Sequence, residues 1–119
     1  MRVVVADDDR DIRELVGFAL SRAGHEVSPA ADGVQALDAV HTYAPDAVLL
    51  DVSMPEMSGL QVCEQLRSQQ QYEGLPIMIL TANADQSATD QALAAGANAY
   101  LPKPFALAQL VEQVEALLT

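Results

Sequence analysis

Short apolar runs alternate with helix-like patterns along the whole chain. Four runs of strand length, and a weaker fifth at 25–30, lie at residues 2–6, 47–50, 77–80 and 99–101. Between them, apolar residues recur at i, i+3, i+4 and i+7, a spacing that predicts amphipathic helices. The first helix has its apolar residues from Ile12 to Ala23, and the last from Leu107 to Leu118. Five strands therefore alternate with five helices.

The repeated strand–helix unit predicts a parallel sheet with helices on both faces and right-handed crossovers. The three most apolar strands are expected at its centre. Pro29 in the second strand and the shortness of the fifth strand place those two at the edges. Asp9 is expected to cap the first helix and Ser58 the third. A polar loop over 83–87 is expected to precede a short, alanine-rich fourth helix over residues 89–95.

Polar side chains interrupt the apolar pattern at the ends of the strands. Asp7 and Asp8 follow the first strand, Asp51 ends the third, Thr81 ends the fourth, and Lys103 follows the fifth. Because the carboxyl ends of parallel strands share one edge of the sheet, these side chains can meet in one cleft. A hydrophobic core needs none of them there, so we interpret the cleft as a functional site.

The residue types in this cleft favour metal-assisted phosphoryl transfer. Three carboxylates repel one another, and a divalent cation relieves that repulsion. Oxygen ligands suit Mg²⁺, or Mn²⁺ in its place, whereas His25 and His41 lie away from this edge and zinc is not expected. The Asp51 carboxylate can attack phosphorus, while the metal, Lys103 and the Thr81 hydroxyl meet the charge on the phosphoryl oxygens.

Composition narrows the classes of partner. Seventeen acidic residues against six basic ones give a net charge of −11, which disfavours direct binding to nucleic acid or to anionic membranes. No apolar run approaches the roughly 20 residues of a membrane span, and no signal peptide is visible, so a cytoplasmic protein is expected. The single cysteine, Cys63, falls in a helical apolar pattern and is expected to be buried and inert.

Together these features resemble the receiver domain of two-component response regulators, over essentially all of residues 1–119. The matching motifs are VVVADDD, LLDVSMPEMSGL, ILTA and YLPKPF. The resemblance implies a flavodoxin-like α/β fold with strand order 2-1-3-4-5. Since the chain ends with its fifth helix, a single receiver domain without an output domain is expected.

The resemblance also implies a role for each residue of the cleft. Asp51 would be the phosphoacceptor, and Thr81 and Lys103 would be the hydroxyl and the lysine of the family's site. The metal ligands would be Asp7, Asp8, Asp51 and the backbone carbonyl of Ser53. Ser53 and Asn83 occupy positions that vary in the family and tune hydrolysis of the acyl phosphate. A cis peptide is common in the family at the bond that corresponds to Lys103–Pro104.

The implied function is signal reception rather than turnover of an external substrate. A sensor histidine kinase or a histidine phosphotransfer protein would supply the phosphoryl group in a Mg²⁺-dependent reaction. Thr81 would then move inward and Tyr100 would follow, which reshapes the surface of the fourth helix, fifth strand and fifth helix for an effector protein or output domain. A phosphorylation-dependent dimer fits the same scheme. The domain would catalyse only its own phosphorylation and dephosphorylation.

Three other functions fit parts of the pattern. One is a receiver-like adaptor that binds partners without phosphorylation, which the intact set of site residues disfavours. Another is a phosphohydrolase of the haloacid dehalogenase type, whose D-x-D motif Asp7 and Asp9 superficially match. Such an enzyme needs a further acidic motif after its lysine, and only one helix follows Lys103. A flavodoxin is disfavoured because the chain has no tryptophan and few aromatic residues to stack on a flavin.

Overall fold

The computed structural model describes residues 1–82 and 85–119. The strands are β1 (Arg2–Ala6), β2 (Glu26–Ala30), β3 (Ala47–Asp51), β4 (Ile77–Thr81) and β5 (Ala99–Pro102). The α-helices of the described residues are α1 (Arg10–Arg22), α2 (Gly33–Tyr43), α3 (Gly59–Arg67), α4 (Gln86–Ala94) and α5 (Leu107–Leu118). A short 3₁₀ helix, Gln70–Tyr72, lies between α3 and β4.

The five strands form one parallel sheet in the order β2-β1-β3-β4-β5. This order and the flavodoxin-like fold confirm the prediction, including β2 and β5 as edge strands. Every residue of β3 and β4 is buried, which explains why both strands read as unbroken apolar runs. Pro29 lies in β2, at the edge of the sheet, where a missing backbone donor costs least.

Alternate side chains of each strand supply two separate cores. Val4, Leu50 and Ile79 point into a core covered by α2, α3 and α4. Val5, Leu49 and Leu80 point into the opposite core, which α1 and α5 cover. Because both faces of the sheet are filled with apolar side chains, the open positions for polar chemistry lie at the strand ends.

Side-chain caps fix the starts of several helices. The Asp9 carboxylate accepts hydrogen bonds from the backbone N–H groups of Asp11 and Ile12, as predicted for the N-cap of α1. Ser58 and Gln61 form a reciprocal capping box at the start of α3, which confirms Ser58 as its cap.

The structure corrects the predicted bounds of the fourth helix, which runs from Gln86 to Ala94, so residues 86 and 87 are helical rather than part of a loop. The helix begins at Gln86, because the carboxylate of Asp85 accepts a hydrogen bond from the N–H of Ala88. Residues 83 and 84 lie outside the described residues. None of the helices in the described part of the chain combines the length and apolar character of a membrane span.

Candidate functional site

The carboxyl edge of the sheet brings the predicted site residues together. Asp7 and Asp8 directly follow β1, Asp51 is the last residue of β3, and Lys103 directly follows β5. One carboxylate oxygen from each of the three aspartates lies within 4.8 Å of the others. Asp7 is fully buried and Asp51 is 4% exposed, whereas Asp8 is exposed to solvent. The site is therefore an acidic cleft with one open carboxylate.

Lys103 is the cation that this cleft contains. Its Nζ donates a hydrogen bond to Asp7 Oδ2 at 2.8 Å and another to Asp51 Oδ1 at 3.2 Å. The Lys103 backbone N–H also donates to the carbonyl of Thr81 at 2.6 Å, which joins the end of β5 to the end of β4. The peptide bond between Lys103 and Pro104 is cis, as the family resemblance implied.

The environment of the cleft raises the pKa of the Asp51 carboxyl group above its value in water. Burial first, and then the charge of the neighbouring Asp7 carboxylate, raise the pKa of Asp51 to about 6, although the charge and hydrogen bond of Lys103 act to lower it. For Lys103, burial opposes the charged form, but its hydrogen bonds and charge interactions with Asp7 and Asp51 raise its pKa overall. The cleft thus carries more negative charge than its single lysine balances, a state that favours binding of a further cation.

The donor set fits a hard divalent cation. Mg²⁺ and Mn²⁺ prefer carboxylate, carbonyl and water oxygens, and the three clustered aspartates offer such oxygens. Asp8 is the most available of them, because no described residue donates a hydrogen bond to its carboxylate. Cys63 is buried within α3, and burial raises its pKa, so it contributes no thiolate ligand.

The other predicted site residues surround the acidic cluster. Thr81 ends β4 and is buried, with 6% of its surface exposed. Ser53 lies in the exposed loop that follows β3, and the role of its carbonyl as a metal ligand stays a prediction. Tyr100 lies in β5, half-buried, and packs against the core that α2, α3 and α4 cover. The predicted tuning role of Asn83 falls on a residue outside the described residues.

Two residues that support the site were not predicted from the sequence. Gly59, the first residue of α3, lies so close to β3 that an added Cβ would come within 2.2 Å of the Asp51 carbonyl oxygen. Arg13, in α1, donates from Nη1 to the Asp7 carbonyl oxygen at 2.8 Å. A glycine just after a capping serine was the one available signal for the first contact, and it is a weak one. No local pattern indicates the second.

Comparisons with known proteins support the resemblance to response regulator receiver domains. The model of the response regulator receiver domain family matches residues 3–115. Response regulator MprA of Mycobacterium avium (strain 104) is 50% identical over 118 residues, which are 99% of this chain and 51% of the relative. The chain thus spans about half the length of the curated relatives it matches.

Solved structures agree in both fold and sequence. The chemotaxis protein CheY4 of Vibrio cholerae superposes with a TM-score of 0.92 at 34% identity, covering 98% of this chain and 97% of CheY4. The receiver domain of Francisella response regulator 1452 gives a TM-score of 0.92 at 31% identity, covering 98% and 95%. The phosphohydrolase, flavodoxin and adaptor alternatives receive no support from these comparisons. The chain therefore belongs to the receiver domains of two-component response regulators, which are in general signalling modules rather than classical enzymes.

Proposed function

We propose that this domain receives a phosphoryl group on Asp51. The observation that carries the proposal is the Asp51 carboxylate itself, which is nearly buried at a strand end, clustered with two other carboxylates and hydrogen-bonded to Lys103. A carboxylate oxygen attacks the phosphorus of the donor, a P–O bond to Asp51 forms, and the bond from phosphorus to the donor breaks. The donor keeps the electron pair of that broken bond, and the product is an aspartyl phosphate.

Asp7, Asp8, Asp51 and the carbonyl of Ser53 would hold Mg²⁺, or Mn²⁺ in its place. When bound, the cation supplies Lewis-acid stabilisation of the negative charge on the transferring phosphoryl group. It also offsets the mutual repulsion of the aspartates, so that Asp51 is ionised and nucleophilic at neutral pH. The exposed position of Asp8 supports this assignment, because it leaves one ligand open to solvent.

Lys103 and Thr81 would contact the incoming phosphoryl group. Lys103 already lies within hydrogen-bond distance of Asp51, so its ammonium can balance the charge that a phosphoryl group adds there. Thr81 is connected to Lys103 through the backbone hydrogen bond between them, and its hydroxyl can donate to a phosphoryl oxygen. Both groups would stabilise the phosphorylated form as well as the transition state.

The change at Asp51 would be read on the surface formed by α4, β5 and α5. In the sheet, Ile79 of β4 pairs with Tyr100 of β5, and Thr81 pairs with Pro102 two positions further on. A displacement of Thr81 toward the phosphoryl group would therefore change the packing of β5, including the surroundings of Tyr100. The inner side of α4 is lined by the small residue Ala92, which fits an element that can move against the sheet.

This scheme implies two kinds of protein partner. A sensor histidine kinase or a histidine phosphotransfer protein would donate the phosphoryl group, and an effector protein or output domain would bind the altered surface. A dimer that forms on phosphorylation would use the same surface. The net charge of −11 disfavours direct contact of this domain with nucleic acid.

Intact-mass spectrometry after incubation with acetyl phosphate and Mg²⁺ tests the proposal. The wild-type chain should gain the mass of one phosphoryl group, and removal of the metal by chelation should abolish the gain. The D51N variant is the matched control, because it keeps the shape of the side chain and removes the nucleophile. If a verified receiver domain is phosphorylated under the same conditions and this chain is not, the proposal fails, and binding without phosphorylation becomes the better account.

A further inference from the structure

The loop between β1 and α1 carries both metal-binding candidates that precede Asp51. Its backbone is tied to α1 by one long side chain, since Arg13 reaches back to donate from Nη1 to the carbonyl oxygen of Asp7 at 2.8 Å. Arg13 is only partly exposed, whereas Arg10, one turn earlier on the same helix, is exposed and pairs with Glu14. Two arginines near the acidic loop thus make different contacts.

The hydrogen bond from Arg13 is accepted by a backbone carbonyl oxygen, that of Asp7, and not by a carboxylate. The carbonyl of Asp7 belongs to the peptide unit that links Asp7 to Asp8, and that unit is close to planar. A hydrogen bond that holds this plane in one orientation fixes the positions of the Asp8 N and Cα atoms, and so restricts the directions in which the Asp8 side chain can leave the backbone. Because no described residue holds the Asp8 carboxylate itself, its orientation depends on the backbone that carries it.

The other hydrogen bonds of the loop fix its two ends. The backbone N–H of Asp7 donates to the carbonyl of Ala30 at 3.1 Å, and the N–H of Asp9 donates to Asp7 Oδ1 at 2.9 Å. The carboxylate of Asp9 in turn caps α1. The bond from Arg13 is therefore the contact that holds the Asp7–Asp8 peptide between these fixed ends.

We propose that Arg13 is a positioning residue that presents Asp8 to the divalent cation by holding the Asp7–Asp8 peptide plane. This inference rests on the proposed function, because it assumes that the acidic cluster binds a metal. Arg13 acts through the backbone and contacts neither the cation nor the phosphoryl group. Supporting residues of this kind typically change metal affinity by one to two orders of magnitude when they are removed.

Electrostatics and positioning predict opposite signs for the loss of this side chain. A guanidinium bonded to the backbone of the acidic loop repels an incoming cation, so removing its charge alone should strengthen metal binding. Removing a positioning contact should weaken it. The R10Q variant removes a nearby positive charge without touching the loop backbone and serves as the matched control.

Titration with Mn²⁺, followed by the electron paramagnetic resonance signal of the free ion, measures the affinity without phosphorylation. We expect R13Q to bind Mn²⁺ on the order of tenfold more weakly than wild type. R10Q should bind as tightly as wild type or more tightly. R13K, which keeps the charge and one donor but loses the planar fork, should fall between wild type and R13Q. Urea unfolding of each metal-free variant shows whether it is folded under the titration conditions.

A kinetic measurement separates positioning from general damage to the fold. With acetyl phosphate as donor, R13Q should need a higher Mg²⁺ concentration for half-maximal phosphorylation but should approach the wild-type rate at saturating Mg²⁺. A folded R13Q that binds Mn²⁺ as tightly as wild type overturns the inference. If R13Q does not fold, the R13K variant provides the test. A folded R13K that binds Mn²⁺ as tightly as wild type then overturns the inference. Failure of the wild-type chain itself to bind Mn²⁺ or to accept phosphate would instead contradict the proposed function.

Discussion

Lys103 lies closer to Asp7 than to Asp51, with distances of 2.8 and 3.2 Å from its Nζ to the respective carboxylate oxygens. The single ammonium is therefore shared between two carboxylates, and its shorter contact is with the fully buried Asp7 rather than with Asp51. In this arrangement Asp51 is held near its ammonium partner without being fully balanced by it, which agrees with its raised pKa. A phosphoryl group on Asp51 would add negative charge close to the Lys103 ammonium, which already contacts Asp51.

Replacing Lys103 tests its part in the transfer. In K103M the apolar stem remains and the ammonium is lost, so the rate of phosphorylation by acetyl phosphate at saturating Mg²⁺ should fall by about 10²- to 10³-fold. Mn²⁺ binding should persist, because the aspartates remain and a competing cation has gone. R22M is the control, since Arg22 is exposed at the far end of α1. An unchanged rate in K103M would remove Lys103 from the mechanism.

Protons should compete with the metal for Asp51. With a pKa of about 6 in the metal-free protein, Asp51 is mostly protonated at pH 5 and mostly ionised at pH 7.5. We therefore expect Mn²⁺ affinity to be roughly tenfold weaker at pH 5 than at pH 7.5, as one competing proton requires one unit below the pKa. The D51N variant should bind more weakly overall and lose most of this pH dependence. Equal slopes in the two proteins would mean that Asp51 does not titrate in this range.

The same pKa predicts how stability depends on pH without metal. The folded-state pKa of about 6 lies above the unfolded value of about 3.9, so the folded chain binds the extra proton between these values. The stability that this extra proton contributes is fully present below about pH 4 and is lost as the pH rises through 6, by about 3 kcal/mol in all. Urea unfolding in chelator should show a steeper fall from pH 4.5 to 7.5 for wild type than for D51N. Parallel profiles would contradict the raised pKa.

The contact between Gly59 and the Asp51 backbone should make that glycine hard to replace. In G59A the added methyl group would press on the Asp51 carbonyl, so α3 or the end of β3 has to shift. We expect a loss of about 1–3 kcal/mol in the free energy of unfolding, and slower phosphorylation at saturating Mg²⁺. G17A is the matched control, because the Cβ added in α1 would lie 3.6 Å from Val27 Cγ1 of β2, an ordinary van der Waals distance. G59A with wild-type stability and rate would show that the backbone absorbs the methyl group.

Much of this architecture could be predicted from apolar periodicity. The buried strands β3 and β4 are continuous apolar runs, and the polar residues that end or follow the strands necessarily share one edge of a parallel sheet. The convergence of Asp7, Asp8 and Asp51 therefore follows from the sequence pattern, and the structure confirms it. The start of α4 was not, because its first turn carries no apolar anchor and depends on the Asp85 cap.

The supporting contacts of the site were less predictable for a different reason. Arg13 bonds to a carbonyl oxygen, and Gly59 matters through the absence of a side chain beside another backbone segment. Neither contact changes the residue type in a way that periodicity or spacing can register. Both depend on how closely α1 and α3 pack against the strand ends, which only the folded structure specifies.

The central claim is that Asp51, rather than Asp7 or Asp8, forms the acyl phosphate. Borohydride reduction of the phosphorylated chain converts a phosphorylated aspartate to homoserine, and peptide sequencing by mass spectrometry then locates it. The account predicts homoserine at position 51 in wild type after treatment with acetyl phosphate and Mg²⁺, and none in D51N or in chelator. Homoserine at position 7 or 8, or retention of the phosphoryl group in D51N, would contradict it.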